Sequence, residues 1–165
     1  MQPTWTVPME SEPQFHVVLH QPEIPQNTGN IGRTCVAARA KLWLVRPLGF
    51  RLDDHHVKRA GLDYWQHLQW EAPAHWEELR SRLTTNRMWF FSKRATRCYT
   101  QADFQWGDAL VFGSETSGLP SQILDETPEY ALRIPTQPEV RSLNLSCSVA
   151  IGLFEAIRQA ELKNS

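Results

Sequence analysis

Short apolar runs alternating with longer helix-forming segments restrict the fold of this chain more than any other feature. Phe15–His20, Leu42–Arg46, His67–Trp70, Met88–Ser92, Ala109–Gly113 and Ala131–Ile134 read as strands. Gly29–Ala40, Asp53–Ala60, Ala74–Leu83, Pro120–Asp125 and Leu143–Leu162 read as helices. Parallel neighbours need a crossover between them, so strict alternation predicts an α/β fold with a mostly parallel sheet. VVL and ALVF carry apolar residues on both parities, as do strands covered on both faces, which places helices on both sides. No repeat or linker interrupts the 165 residues, so residues 15–165 read as one domain behind a loose tail, 1–14.

Composition enters as a set of exclusions. With 41% hydrophobic and 21% charged residues the chain is neither disordered nor fibrous. Its apolar stretches break well before the ~20 residues that cross a bilayer, so no membrane partner is expected. The tail has no Lys, no Arg and no apolar core of a signal peptide. Cys35, Cys98 and Cys147 are odd in number and widely spaced, which fits a reduced, cytoplasmic protein. Net charge is -1, yet residues 33–59 hold seven basic residues against two acidic ones, and residues 80–97 hold six against none. Brought to one face, these stretches would bind phosphates; kept apart, they are solvated helix surfaces.

Three loops collect polar residues and glycines at the expected carboxyl ends of strands, where open α/β sheets bind ligands. The first runs from Gln21 to Arg33, with Asn27 or Thr28 available to cap a helix and Arg33 about one turn inside it. A capped turn with a surface arginine would read the same way. The second, Phe112 to Pro120, leaves a strand through Gly113 and reaches a helix past Gly118, with Glu115 between them. It matches neither a dinucleotide fingerprint nor a P-loop. The third, Ile134 to Ser146, carries Ser142, Asn144 and Ser146 into the last helix, where Ser142 could be a plain N-cap. Val149, Leu153, Phe154 and Ile157 give that helix an apolar face, suited to core packing or to a dimer seam. Asp53-Asp54-His55-His56 cannot converge from one helical turn, so no metal is expected.

NTGNIGR, LVFGSETSGLP and IPTQPEVRSLNLSCSVA resemble, in order, the three motifs of SPOUT-class RNA ribose 2'-O-methyltransferases. The resemblance runs from Phe15 to Ala160, takes in PEIPQNTGNIGR and RAGLDYW, and is strongest to the small bacterial enzymes acting on the wobble nucleotide of tRNA. It implies a deep trefoil knot in the C-terminal part, a homodimer, S-adenosyl-L-methionine as cofactor and a tRNA anticodon stem-loop as partner. Cofactor contacts are then implied at Phe91, Gly113, Ile134, Ser142 and Leu143, and active-site roles at Arg33, Glu115, Ser142 and Asn144. Ser117, Ala95 and Cys147 stand where that family often carries Arg, Gly and Asn.

The chemistry restricts these roles. A guanidinium stays protonated, so Arg33 suits a clamp on a developing alkoxide and an adjacent phosphate better than a base. A sulfonium loses its charge as the methyl leaves, so a carboxylate touching it would favour the ground state. Glu115 is therefore expected to orient loops or polar groups. Alternatives in substrate and activity are ribosomal RNA and a catalytically silent RNA-binding module.

Overall fold

The computed structural model describes residues 12–53, 55, 57, 59 and 63–164. Six strands form one all-parallel sheet: β1 (Phe15–His20), β2 (Ala40–Val45), β3 (Trp70–Glu71), β4 (Met88–Phe91), β5 (Ala109–Phe112) and β6 (Ala131–Leu132), in the order β3-β2-β1-β5-β4-β6. Helices α1 (Pro25–Ala37), α2 (Trp76–Arg82), α3 (Ser121–Glu126) and α4 (Leu145–Lys163) cover its two faces.

Strand alternation divides the interior into two cores. Phe15, Val17 and Leu19 of β1 point to the α1 and α4 side, where Ile31, Cys35, Val149, Leu153 and Ile157 meet them. Val18 points to the opposite face, with Trp43, Leu79, Val111 and Ile123. Phe154, read from sequence as part of the apolar face of α4, instead lies 49% exposed beside half-exposed Ile151. The helix is apolar around more of its circumference than one core contact needs, which leaves Ile151 and Phe154 exposed on the single chain.

Most boundaries shift by one to three residues, with β2 starting at Ala40, β6 ending at Leu132 and α4 starting at Leu145, and two differences bear on the site. The third strand has only two residues, because Trp65–His67 forms a 3-10 turn where the strand was expected to begin. Helix α1 begins at Pro25, four residues before Gly29, and its N-cap Ile24 has no side-chain cap of its own. Proline at the first helical position costs nothing, since that N–H has no intrahelical partner. Arg33 accordingly lies more than two turns into α1. Of the helix expected over Asp53–Ala60, His55, Val57 and Arg59 are helical; Asp54, His56, Lys58 and Ala60 lie outside the described residues, as does most of the 1–14 tail.

Candidate active site

The carboxyl ends of β4, β5 and β6 open into a cleft of about 710 Å³. Its floor is aromatic: Phe91 and Phe112, ending their strands, stack with centroids 4.5 Å apart and an interplanar angle of 17°. The pair is held from below by α4, where Gly152 brings the helix so close that a Cβ there would stand 2.8 Å from Phe91 Cζ. Gly113, Ile134, Ser142 and Leu143 lie around the walls, so the five residues implied as cofactor contacts share one cavity.

Gly113 is required by the protein's own backbone. A Cβ at Gly113 would fall 2.0 Å from the carbonyl carbon of Gly118, because the loop after β5 folds back on itself. The Gly118 N–H donates to the Ser114 carbonyl at 3.0 Å, and Gly118 turns the chain with φ of +66°, which suits glycine.

Glu115 lies on this loop, and its carboxylate is taken up by the loop after β1. The N–H groups of Glu23 and Ile24 donate to Oε2 and Oε1 at 2.7 and 3.0 Å, and Asn27 Nδ2 donates to Oε1 at 3.3 Å. A negative group thus closes the amino end of α1, supplying from a distant loop the cap that Ile24 lacks. Buried Asn27 then accepts from Asn144 Nδ2 at 3.1 Å through its Oδ1. Asn144 caps α4 in turn, its Oδ1 accepting from the Ser146 N–H and hydroxyl at 2.9 and 2.6 Å. Glu115, Asn27 and Asn144 therefore join three loops into one polar relay. Asn27 was read from sequence only as a helix cap; its role as the middle link depends on two partners far along the chain. Asn144, and not Ser142, is the N-cap of the last helix, and Ser142 lies exposed on the rim.

Charge around the cleft is mostly positive. Lys93, Arg94, Arg133 and Arg141 line it, with Glu115 as the lining carboxylate. Arg94 is also a strut, donating to the Leu119 carbonyl at 2.6 Å and to Ser121 Oγ at 2.7 Å. Arg80, Arg82 and Arg87 pair instead with Glu126, with Glu71 and Glu78, and with Asp108. The second basic stretch is thus divided among the cleft, surface ion pairs at Arg80 and Arg82, the buried Asp108 that holds Arg87, and the Gln101 and Glu129 carbonyls to which Arg97 donates. At the end of β1, burial holds the imidazole of His20 below its ordinary pKa, with Glu77 pulling the other way.

Arg33 is not among the residues of the cleft; it lies exposed on α1 with its Cζ 4.7 Å from the centroid of the Tyr64 ring. Among the described residues no three potential ligands gather to hold a metal, and no helix is long and apolar enough to cross a membrane.

An all-parallel α/β domain with a nucleoside-sized cleft at its strand ends belongs to the class of enzymes that bind ligands beyond the carboxyl edge of the sheet. The SpoU rRNA Methylase family model matches residues 14–154, and the chain belongs to that family. It is 47% identical over 146 residues to a tRNA (cytidine(34)-2'-O)-methyltransferase of Methylovorus glucosotrophus, covering 88% of this chain and 95% of that one. A solved structure concerned with 2-OH methylation of C/U34 on tRNA superposes with a TM-score of 0.85 at 43% identity, covering 92% and 97% of the two chains. An AdoMet-bound rRNA methyltransferase from Sinorhizobium meliloti superposes with a TM-score of 0.80 at 25% identity, covering 91% of this chain and 59% of that one.

Proposed function

We propose that this protein is an S-adenosyl-L-methionine-dependent enzyme that 2'-O-methylates the wobble nucleotide of tRNA, a cytidine or modified uridine of leucine isoacceptors, as a cytoplasmic homodimer. The observation that carries this reading is the joining of three motif-bearing loops at one cleft by Glu115, Asn27 and Asn144. Near-full-length similarity to enzymes named for nucleotide 34 of tRNA supports the substrate.

The cleft suits the cofactor. An aromatic floor fits a nucleoside, a polar rim fits an amino-acid tail, and the volume admits both. Phe91, Gly113, Ile134, Ser142 and Leu143 would hold it, and when bound it supplies a methyl group on a sulfonium. A ribose hydroxyl is a poor nucleophile near neutral pH, so alignment supplies much of the rate, up to ~7–11 kcal/mol. Ser142 and Asn144 orient the ribose at the rim. Glu115 already accepts from three donors, so it fixes the loops and takes no proton. Arg33 clamps the phosphate beside the reacting ribose and stabilises the alkoxide as it forms, while a phosphate oxygen or water takes the proton.

Arg33 performs this role in the partner's cleft. It follows cleft-lining Asn27 by six residues, which on an α-helix is about 9 Å along the axis and roughly 120° around it. The exposed Ile151 and Phe154 offer an apolar seam on α4 for a two-fold contact. The reading also includes a trefoil knot. Its support is that Arg133, just past β6, exchanges backbone hydrogen bonds with Arg97 and Tyr99, while Gln159 of α4 reaches Thr100 and Phe104 on the same connection.

The test is methyl transfer from labelled cofactor to total tRNA and to ribosomal RNA, followed by mapping of the modified nucleotide. Label at the ribose of position 34 in leucine tRNAs is expected. Transfer only to ribosomal RNA overturns the substrate, and cofactor binding without transfer to either overturns the activity.

A further inference from the structure

We propose that a second cavity, beside the cofactor cleft, takes the base of the nucleotide to be methylated, and that Glu23 selects cytosine there by accepting a hydrogen bond from its exocyclic amino group. The proposal rests on the RNA substrate inferred above.

This cavity lies among the loops that follow β1, β2 and β5 and holds about 330 Å³. Its shape is set by backbone packing. The Gly49 N–H donates to the Pro22 carbonyl at 2.9 Å, and a Cβ at Gly49 would stand 2.7 Å from Glu23 Cα, so the loops after β1 and β2 are in direct contact. Ser114, Ser117 and Gly118 line both this cavity and the cofactor cleft, which makes one loop the partition between them. A nucleotide whose ribose reaches the cleft over this loop sets its base in the neighbouring cavity.

The two cavities differ in charge. Lys93, Arg94, Arg133 and Arg141 line the cleft, whereas no Lys or Arg is among the described residues lining the second cavity. Phosphates are therefore suited to the first and an uncharged ring to the second. Pro47, Leu48 and Pro120 offer apolar surface to the face of an unstacked base, and Gln21 and Glu23 supply polar groups for its edge. Buried His20 also lines the cavity, and burial lowers its pKa, so at neutral pH Glu23 meets no imidazolium there.

Glu23 is fixed twice by the partition loop. Its N–H donates to Glu115 Oε2 at 2.7 Å, and its Oε1 accepts from Thr116 Oγ1 at 2.7 Å. Its Oε2 accepts no hydrogen bond from the described residues. A carboxylate held in this way has an open acceptor and no donor. Cytosine presents an N4 amino donor, while uracil, of nearly the same size, presents the O4 acceptor at the same position. Glutamine in place of Glu23 would lose the distinction, because an amide both accepts and donates.

The test uses the full-length protein and two tRNA anticodon stem-loops that differ only in cytidine or uridine at the methylated position. Fluorescence anisotropy measures their affinity for protein saturated with S-adenosylhomocysteine, and kcat/KM for methyl transfer is measured in parallel. The unaltered protein should favour cytidine at least tenfold by both measures. Glu23→Gln, nearly the same shape, should reduce the preference to twofold or less, chiefly by improving uridine. Equal affinity for the two RNAs in the unaltered protein overturns the proposal, as does a preference that survives intact in Glu23→Gln. Equal methyl transfer to both RNAs sinks the selection by Glu23 and leaves the function standing. A cytidine preference in binding that Glu23→Gln removes, without transfer to either RNA, upholds the base site and overturns the activity.

Discussion

Glu115 caps a helix that begins ninety-odd residues before it, its carboxylate meeting the Glu23 N–H across a separation of 92 residues. Both oxygens accept, so Glu115→Gln must set an amide NH2 against a backbone N–H and also removes the negative charge from the amino end of α1. Stability should fall by about 1–3 kcal/mol, and affinity for S-adenosylhomocysteine should weaken because two walls of the cleft separate. Urea denaturation and calorimetry measure the two effects, and unchanged values for both would remove Glu115 from the scaffold. Sequence reading placed Glu115 between the two glycines of the second loop, and chemistry directed it away from the sulfonium. Its actual partners are backbone amides, which no residue type advertises, so the link to Glu23 and Ile24 could not be read in advance.

At the scale of elements, the strands were legible because burial on both faces leaves continuous apolar runs such as Val17–Leu19 and Ala109–Phe112. The start of α1 was misplaced because its capping group belongs to another loop, and β3 because two ladder residues leave too short a pattern to recognise. Helix α4 joins packing to the site through Gly152, which meets the ring that floors the cleft. Gly152→Val would drive branched carbon into Phe91, which cannot retreat without unstacking from Phe112. The cost should be about 1–3 kcal/mol of stability, as for overpacked cores, with weaker cofactor binding in proportion to the displaced ring. Thermal melting with and without S-adenosylhomocysteine measures both, and a variant with normal stability and affinity would show that the floor yields freely.

For the whole molecule, the position of Arg33 away from its own cleft turns a question of mechanism into one of assembly. Arg33→Ala and Asn144→Ala chains, each inactive alone, should regain activity when mixed, because one composite site of each heterodimer keeps both residues. Random pairing makes half the dimers mixed with one good site apiece, so recovery should approach about a quarter of normal activity. No recovery in a preparation with heterodimers verified by mass would place both residues in the same subunit's site. The sheet order has a different consequence, one that concerns the chain during its synthesis. β1 pairs with β2 on one side and with β5 on the other, and β5 leaves the ribosome after β3 and β4. Until then a strand that is buried along most of its length has one unpaired edge, a template for association with other nascent chains, and closure must wait for contacts of long sequence separation. Slow closure is the expectation for a sheet with β1 in its middle, and the cleft is complete only after α4, the most C-terminal of the described helices, has docked.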